Sequence, residues 1–187
     1  MEKNTQLWQA ILTFFIFCGL SLLSRVVYPI FGLVVVMGIT LPLIWGKMTW
    51  NWSEIGFTTG NWGGILRWGI IAGILTSLIG LAVLPQRVIP SSLGMQLIIG
   101  LPMWALIISP FQEFFFRGWL QTRFENALGD IWGLIIANMC FTLWHYCAPF
   151  VSQTSVPLES TTGALSTFGA GSIYAYAFQR TKHIATP

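Results

Sequence analysis

The residues best equipped for chemistry begin in the run Gln112-Glu113-Phe114-Phe115-Phe116-Arg117-Gly118, where a carboxylate and a guanidinium stand among phenylalanines. In a lipid-like setting each unpaired charge costs about 2.5–3.5 kcal/mol, so these two need a partner or a purpose. Glu113 and Arg117 are at i and i+4 with the acid first, the favourable order for a same-face helical ion pair. Taken alone, the run reads equally well as an intrahelical pair near an interface, with Arg117 snorkelling to water. A second run, Asn138-Met139-Cys140-Phe141-Thr142-Leu143-Trp144-His145, adds an amide, a hydroxyl and an imidazole. Residues seven apart on a helix lie within about 20° of each other, so Asn138 and His145 share a stripe, with Thr142 between them. A lone histidine in an apolar helix is usually structural. Beside the Gln112/Glu113 pair it completes the composition of an acid–base site, because imidazole and carboxylate can share and activate a water near neutral pH. Only Glu113 and His145 are plausible metal donors within the apolar segments, whereas catalytic zinc takes three protein ligands. Zinc would be under-ligated here, and the expectation is a water-activating site without bound metal.

These side chains need apolar elements to hold them, and composition says which. Of 187 residues, 55% are hydrophobic and 8% charged, against roughly 25% charged in a soluble domain. That excludes a water-soluble globule, an intrinsically disordered chain and a secreted disulfide scaffold. Charge-free stretches run from Asn4 to Ser24, Val26 to Gly46, Trp68 to Gln86, Val88 to Gln112, Ile131 to Leu158 and Ser160 to Gln179. Each approaches or exceeds the roughly 20 residues that cross a hydrocarbon core. The expectation is an all-α polytopic membrane bundle, a single transmembrane domain over residues 1–187 with six spans. They fall at about 5–24, 27–46, 65–85, 97–124, 131–150 and 161–179, with an interfacial loop at 47–63 rich in tryptophan. With the N-terminus in the cytoplasm, that side collects Lys3, Lys47, Arg67, Arg117, Arg123, Arg180 and Lys182, and the far side keeps Arg25 and Arg87. The bias favours an N-in/C-in topology. The net charge of +3 then reflects contact with the lipid bilayer's anionic leaflet, and no basic stripe suggests nucleic acid. Lys3 ahead of an apolar run resembles a signal peptide, but Gly19-Leu20-Ser21 is a weak cleavage site, so a retained anchor is expected. Cys18, Cys140 and Cys147 are assigned to packing.

Small residues suggest contact faces: Gly69 and Gly73 in the third helix, and Gly163, Thr167, Gly171 and Ala175 in the sixth. From Met95 to Ala127 the chain reads as one helical stretch too long for a single crossing, which Pro102 and Pro110 are expected to kink or divide. Placing the fourth crossing at about 100–124 brings Glu113 to mid-depth, within reach of His145.

The two runs resemble the motifs of the CPBP intramembrane proteases, a family that includes the CAAX prenyl proteases and the bacteriocin-processing and self-immunity proteins of the Abi group. Its first motif, E-E-x-x-x-R, appears as Gln112-Glu113-Phe114-Phe115-Phe116-Arg117, and its second, F-x-x-x-H, as Phe141-Thr142-Leu143-Trp144-His145. Ser53 to Phe57 resembles the loop before the family's third helix, and Gln179-Arg180-Thr181 the approach to its last. The resemblance covers about residue 50 to 187. It implies an integral-membrane endopeptidase, in a prokaryotic cell membrane, cleaving a peptide or membrane-protein substrate. It makes His145 and the first acid the water-activating groups, and Glu113 the acid paired with Arg117; Asn138 and Phe141 support them. Gln112 replaces the first acid, and an amide cannot accept a proton as a carboxylate does. The family's last helix, bearing H-x-x-x-N, is absent; His183 lies outside that pattern and is expected to be a solvated turn residue. Two readings therefore remain: a working endopeptidase of the CAAX-protease type, or a catalytically impaired relative acting as membrane scaffold, regulator or bacteriocin-immunity protein.

Overall fold

The computed structural model describes residues 2–58, 62–83, 91–149 and 161–186. Among them no strand occurs, and six long helices run α1 Lys3–Leu23, α2 Pro29–Thr49, α3 Trp62–Val83, α4 Leu93–Leu128, α5 Asp130–Cys147 and α6 Thr161–Thr181. The molecule is an all-α membrane bundle, and α1 to α4 are each long and apolar enough to cross a bilayer. The outer ends of the expected third and fifth spans, and Arg87, lie outside the described residues.

The fourth helix runs undivided. Neither Pro102 nor Pro110 divides it; the chain stays helical from Leu93 to Leu128 by widening into π-turns at Gln96–Gly100, Trp104–Ile108 and Glu113–Gln121. A proline removes one N–H and pushes on the carbonyl a turn earlier, and wider turns absorb both without a break. The last of these π-segments carries Glu113 and Arg117.

A single residue joins α4 to α5. Gly129 has φ +86° and ψ 165°, a conformation essentially confined to glycine. It reverses the chain sharply enough for α4 and α5 to pack as an antiparallel pair. Glu113 is sixteen residues before Gly129 and His145 sixteen after it, so both stand at about the same level in the hairpin.

Phenylalanines bind the bundle core. Phe111, Phe115 and Phe116 of α4 are fully buried. Phe115 stacks on Phe17 of α1 with ring centroids 3.8 Å apart, and Phe116 meets Phe141 of α5 edge-on at 5.2 Å and Trp144 at a tilt at 5.4 Å. At the far end of α1, Ser21 Oγ accepts a bond from Trp144 Nε1 at 2.8 Å, and Arg25 donates to the Tyr146 and Cys147 carbonyls that end α5. A basic side chain there satisfies the open carbonyls of a helix C-terminus.

The small-residue face of α6 packs as its spacing suggests, with Gly163, Gly171 and Ala175 buried. In α3 the glycine pair meets no other helix among the described residues. A Cβ on Gly69 would meet the Thr186 carbonyl at 2.7 Å, while one on Gly73 would have open space among the described residues. The difference arises because the segment after α6 folds back against α3. Gly171 is the tightest of these sites: a Cβ would overlap the Asn138 amide and come within 2.9 Å of the Phe141 ring. Gly171→Val is expected to lower stability by about 1–3 kcal/mol, read as a drop in the detergent-solubilised unfolding temperature. The same change at Gly73 should leave that temperature nearly unchanged.

Candidate active site

Arg117 is 1% exposed and lies at the junction of α4, α5 and α6. Its Nη2 donates to the Gly171 carbonyl at 3.2 Å, and its guanidinium lies 4.6 Å from the Phe141 ring centroid. Nε stands 3.8 Å from Glu113 Oε2, close enough for strong attraction in a dry interior but beyond direct hydrogen bonding. Glu113 Oε2 and Arg117 Nε and Nη1 have no hydrogen-bonding partner among the described residues. Buried polar atoms in that condition are sites for water or a polar substrate group. The expected intrahelical pair is thus present at i and i+4, but Arg117 does not snorkel; it points inward to the α6 backbone.

His145 lies in the last turn of α5, half-buried against Phe141 and Trp144. Its Nδ1 bonds the Phe141 carbonyl at 2.8 Å. A carbonyl only accepts, so Nδ1 carries the hydrogen and Nε2 keeps the lone pair. The Phe141 ring touches both neighbours, its centroid 4.5 Å from the imidazole and 4.6 Å from the Arg117 guanidinium. Gln112, half-buried, precedes Phe116 by one turn. Since Phe116 packs on Phe141 and Trp144, Gln112 belongs to the side of α4 that faces α5.

Asn138 is fully buried and turned to α6, where its Nδ2 donates to the Phe168 carbonyl and Ser172 Oγ at 2.8 and 2.7 Å. Thr142 bonds the Asn138 carbonyl at 3.0 Å. The polar stripe of α5 therefore divides its work: Asn138 clamps α6, and His145 keeps the Nε2 lone pair.

A cavity of about 230 Å³ borders Glu113, lined also by Ser109, Pro110, Phe114, Ile184 and Ala185. Its far wall is the returning segment after α6. Ile184 N–H donates to the Gly56 carbonyl at 2.8 Å. His183, expected in solvent, is 7% exposed: its ring lies 5.4 Å from Trp62, and its Nδ1 accepts from the Ala185 N–H at 3.1 Å. The correction has a local cause, a left-handed Lys182 with φ +50° that turns the chain inward.

Sequence reasoning missed two further polar knots. Arg123 is 2% exposed, its guanidinium 3.1 Å from the centroid of Trp119 and bonded to Gln9 Oε1 at 3.2 Å. Glu125, 5% exposed, collects Gln121 Nε2 at 2.7 Å, Gln179 Nε2 at 3.0 Å and the Lys182 ammonium. The i, i+4 spacing of Gln121 and Glu125 was the available signal. No group of three His, Cys, Asp or Glu side chains converges among the described residues. Glu113 and His145 do not fill a zinc site by themselves.

A family model described as type II CAAX prenyl endopeptidase, Rce1-like, matches residues 94–187, half of the chain. No curated protein and no solved structure matches. The matched half begins at the second residue of α4 and includes both charged runs, the α4–α5 hairpin that sets them level, α6 and the returning segment. The chain belongs to the Rce1-like family of type II CAAX prenyl endopeptidases.

Proposed function

We propose that the chain hydrolyses a peptide bond with a water activated by His145. The observation that carries this reading is the Nδ1 bond to the Phe141 carbonyl, which leaves Nε2 as a proton acceptor. Nε2 takes a proton from water as the water oxygen bonds to the scissile carbonyl carbon. The same proton passes to the departing nitrogen as the C–N bond breaks. Gln112, on the α5-facing side of α4, holds the water by hydrogen bonds in place of the family's first acid. Glu113 neutralises Arg117, and Arg117 fixes α4 to α6 through Gly171. The substrate is a peptide or the tail of a membrane-associated protein near the cytoplasmic leaflet, and the chain crosses the bilayer six times with both ends inside, as the lysine and arginine bias supports.

One observation favours the second reading, a non-proteolytic scaffold, regulator or immunity protein. The cavity beside Glu113 is lined from α4 and the returning segment and not by His145, so carboxylate and imidazole do not share its walls. Gln112→Glu separates the readings. In proteoliposomes containing an internally quenched peptide, the endopeptidase reading expects this variant to cleave about 100-fold faster than wild type, the lower end of a general base's usual contribution. Absence of cleavage by wild type and variant alike overturns that reading and leaves the scaffold.

A further inference from the structure

An apolar groove of about 290 Å³ lies between α3 and α6, lined by Trp68, Ile71, Ala72, Leu75, Ser172 and Tyr176 among others. The two helices run antiparallel along it. Trp68 meets Tyr176 with ring centroids 5.5 Å apart near one end, and Thr76 Oγ1 lies 2.9 Å from the Tyr174 hydroxyl farther in. At the Trp68 end each helix carries an arginine on the groove's own stripe. Arg67 precedes Ile71 and Leu75 at four-residue spacing, and Arg180 follows Tyr176 and Ser172 in the same rhythm. Arg180 lies 5.8 Å from the Trp68 ring centroid. Both arginines are exposed, and neither forms an ion pair with a described residue. Tryptophan at this end fits a headgroup zone, where an indole sits between hydrocarbon and water.

Apolar walls ending in two cations that have no ion-pair partner among the described residues have the chemistry of an amphiphile site. We propose that the α3–α6 groove binds an anionic phospholipid, one acyl segment lying between the helices and the phosphate held by Arg67 and Arg180. Guanidinium groups donate paired hydrogen bonds to phosphate oxygens, and a second positive charge favours a headgroup with net negative charge over a zwitterionic one. Charge complementarity therefore selects the occupant, and the site is independent of whether His145 performs hydrolysis. Ser172, in the groove wall, also receives the Asn138 amide, so the bound lipid would lie against the clamp between α5 and α6.

Native mass spectrometry of the full chain, released from membranes holding equal phosphatidylglycerol and phosphatidylcholine, tests the proposal. The wild type is expected to retain phosphatidylglycerol preferentially. Arg180→Gln should lower the phosphatidylglycerol-to-phosphatidylcholine ratio about fivefold, the equivalent of about 1 kcal/mol for one basic side chain at a membrane surface, and Arg67→Gln should add a similar loss. The charge-conserving Arg67→Lys/Arg180→Lys variant should keep a preference, and Leu75→Trp, which fills the groove, should reduce retention of both lipids. An unchanged ratio in Arg67→Gln/Arg180→Gln overturns the site. So does displacement of phosphatidylglycerol by an equal concentration of farnesylated peptide, which would assign the groove to a prenyl chain.

Discussion

His145→Gln is expected to lower peptide cleavage by the reconstituted chain by roughly 10²–10⁴-fold, the usual contribution of a positioned general base, with little change in folded yield. Glutamine keeps a side-chain amide that can donate to the Phe141 carbonyl, as His145 Nδ1 does, and it retains part of the contact with Phe141 and Trp144. What it lacks is a nitrogen lone pair that can hold a proton during the reaction. His145→Ala should give the same catalytic loss with an added stability cost from the vacated ring contacts. Initial rates on a quenched peptide, set beside size-exclusion profiles and unfolding temperatures, separate the two effects. If His145→Gln cleaves as fast as wild type, His145 is not the base. The same measurement in the Gln112→Glu background guards against a wild-type rate too slow to resolve, since that variant supplies an acid on the side of α4 facing α5.

The helices were readable because fifteen fixed charges punctuate an otherwise apolar chain, and a membrane forbids charge far more strictly than it specifies anything else. The same rule pointed to Glu113, Arg117 and His145, each an exception that composition makes conspicuous. What the sequence hid are consequences of backbone geometry. Pro102 and Pro110 signal a break, yet the chain relaxes into π-turns; nothing in residue type distinguishes a divided helix from a widened one. Gly129 looks like any loop glycine, but its φ and ψ set the α4–α5 reversal that brings positions 113 and 145 level. His183 sits after the last helix, where polarity predicts solvent, and its burial depends on Lys182 turning the chain toward Gly56 and Trp62. The role of Arg117 was half legible. Its spacing to Glu113 was visible, but its acceptor is a backbone carbonyl of Gly171, which no pattern of side chains encodes.

Glu113→Gln is expected to destabilise the bundle by about 3–5 kcal/mol, because it strands a buried guanidinium whose only described ion-pair partner is that carboxylate. Arg117→Met should cost a comparable amount by leaving a carboxylate in an apolar junction. The double variant Glu113→Gln/Arg117→Met is expected to recover most of the loss, since replacing both members of a buried pair with neutral groups is often close to neutral. The cycle of unfolding free energies in detergent then gives a coupling well above the few tenths of a kcal/mol seen for independent sites. The 3.8 Å separation sharpens the test. A pair held only by a screened, solvent-bridged attraction would give additive losses, and then the junction of α4, α5 and α6 would rest on the Gly171 carbonyl and the Phe141 ring instead. In that event Gly171→Val should destabilise more than either charge substitution. If coupling is strong, Glu113 is committed to Arg117 and is unavailable to take the water's proton, which leaves His145 to accept it.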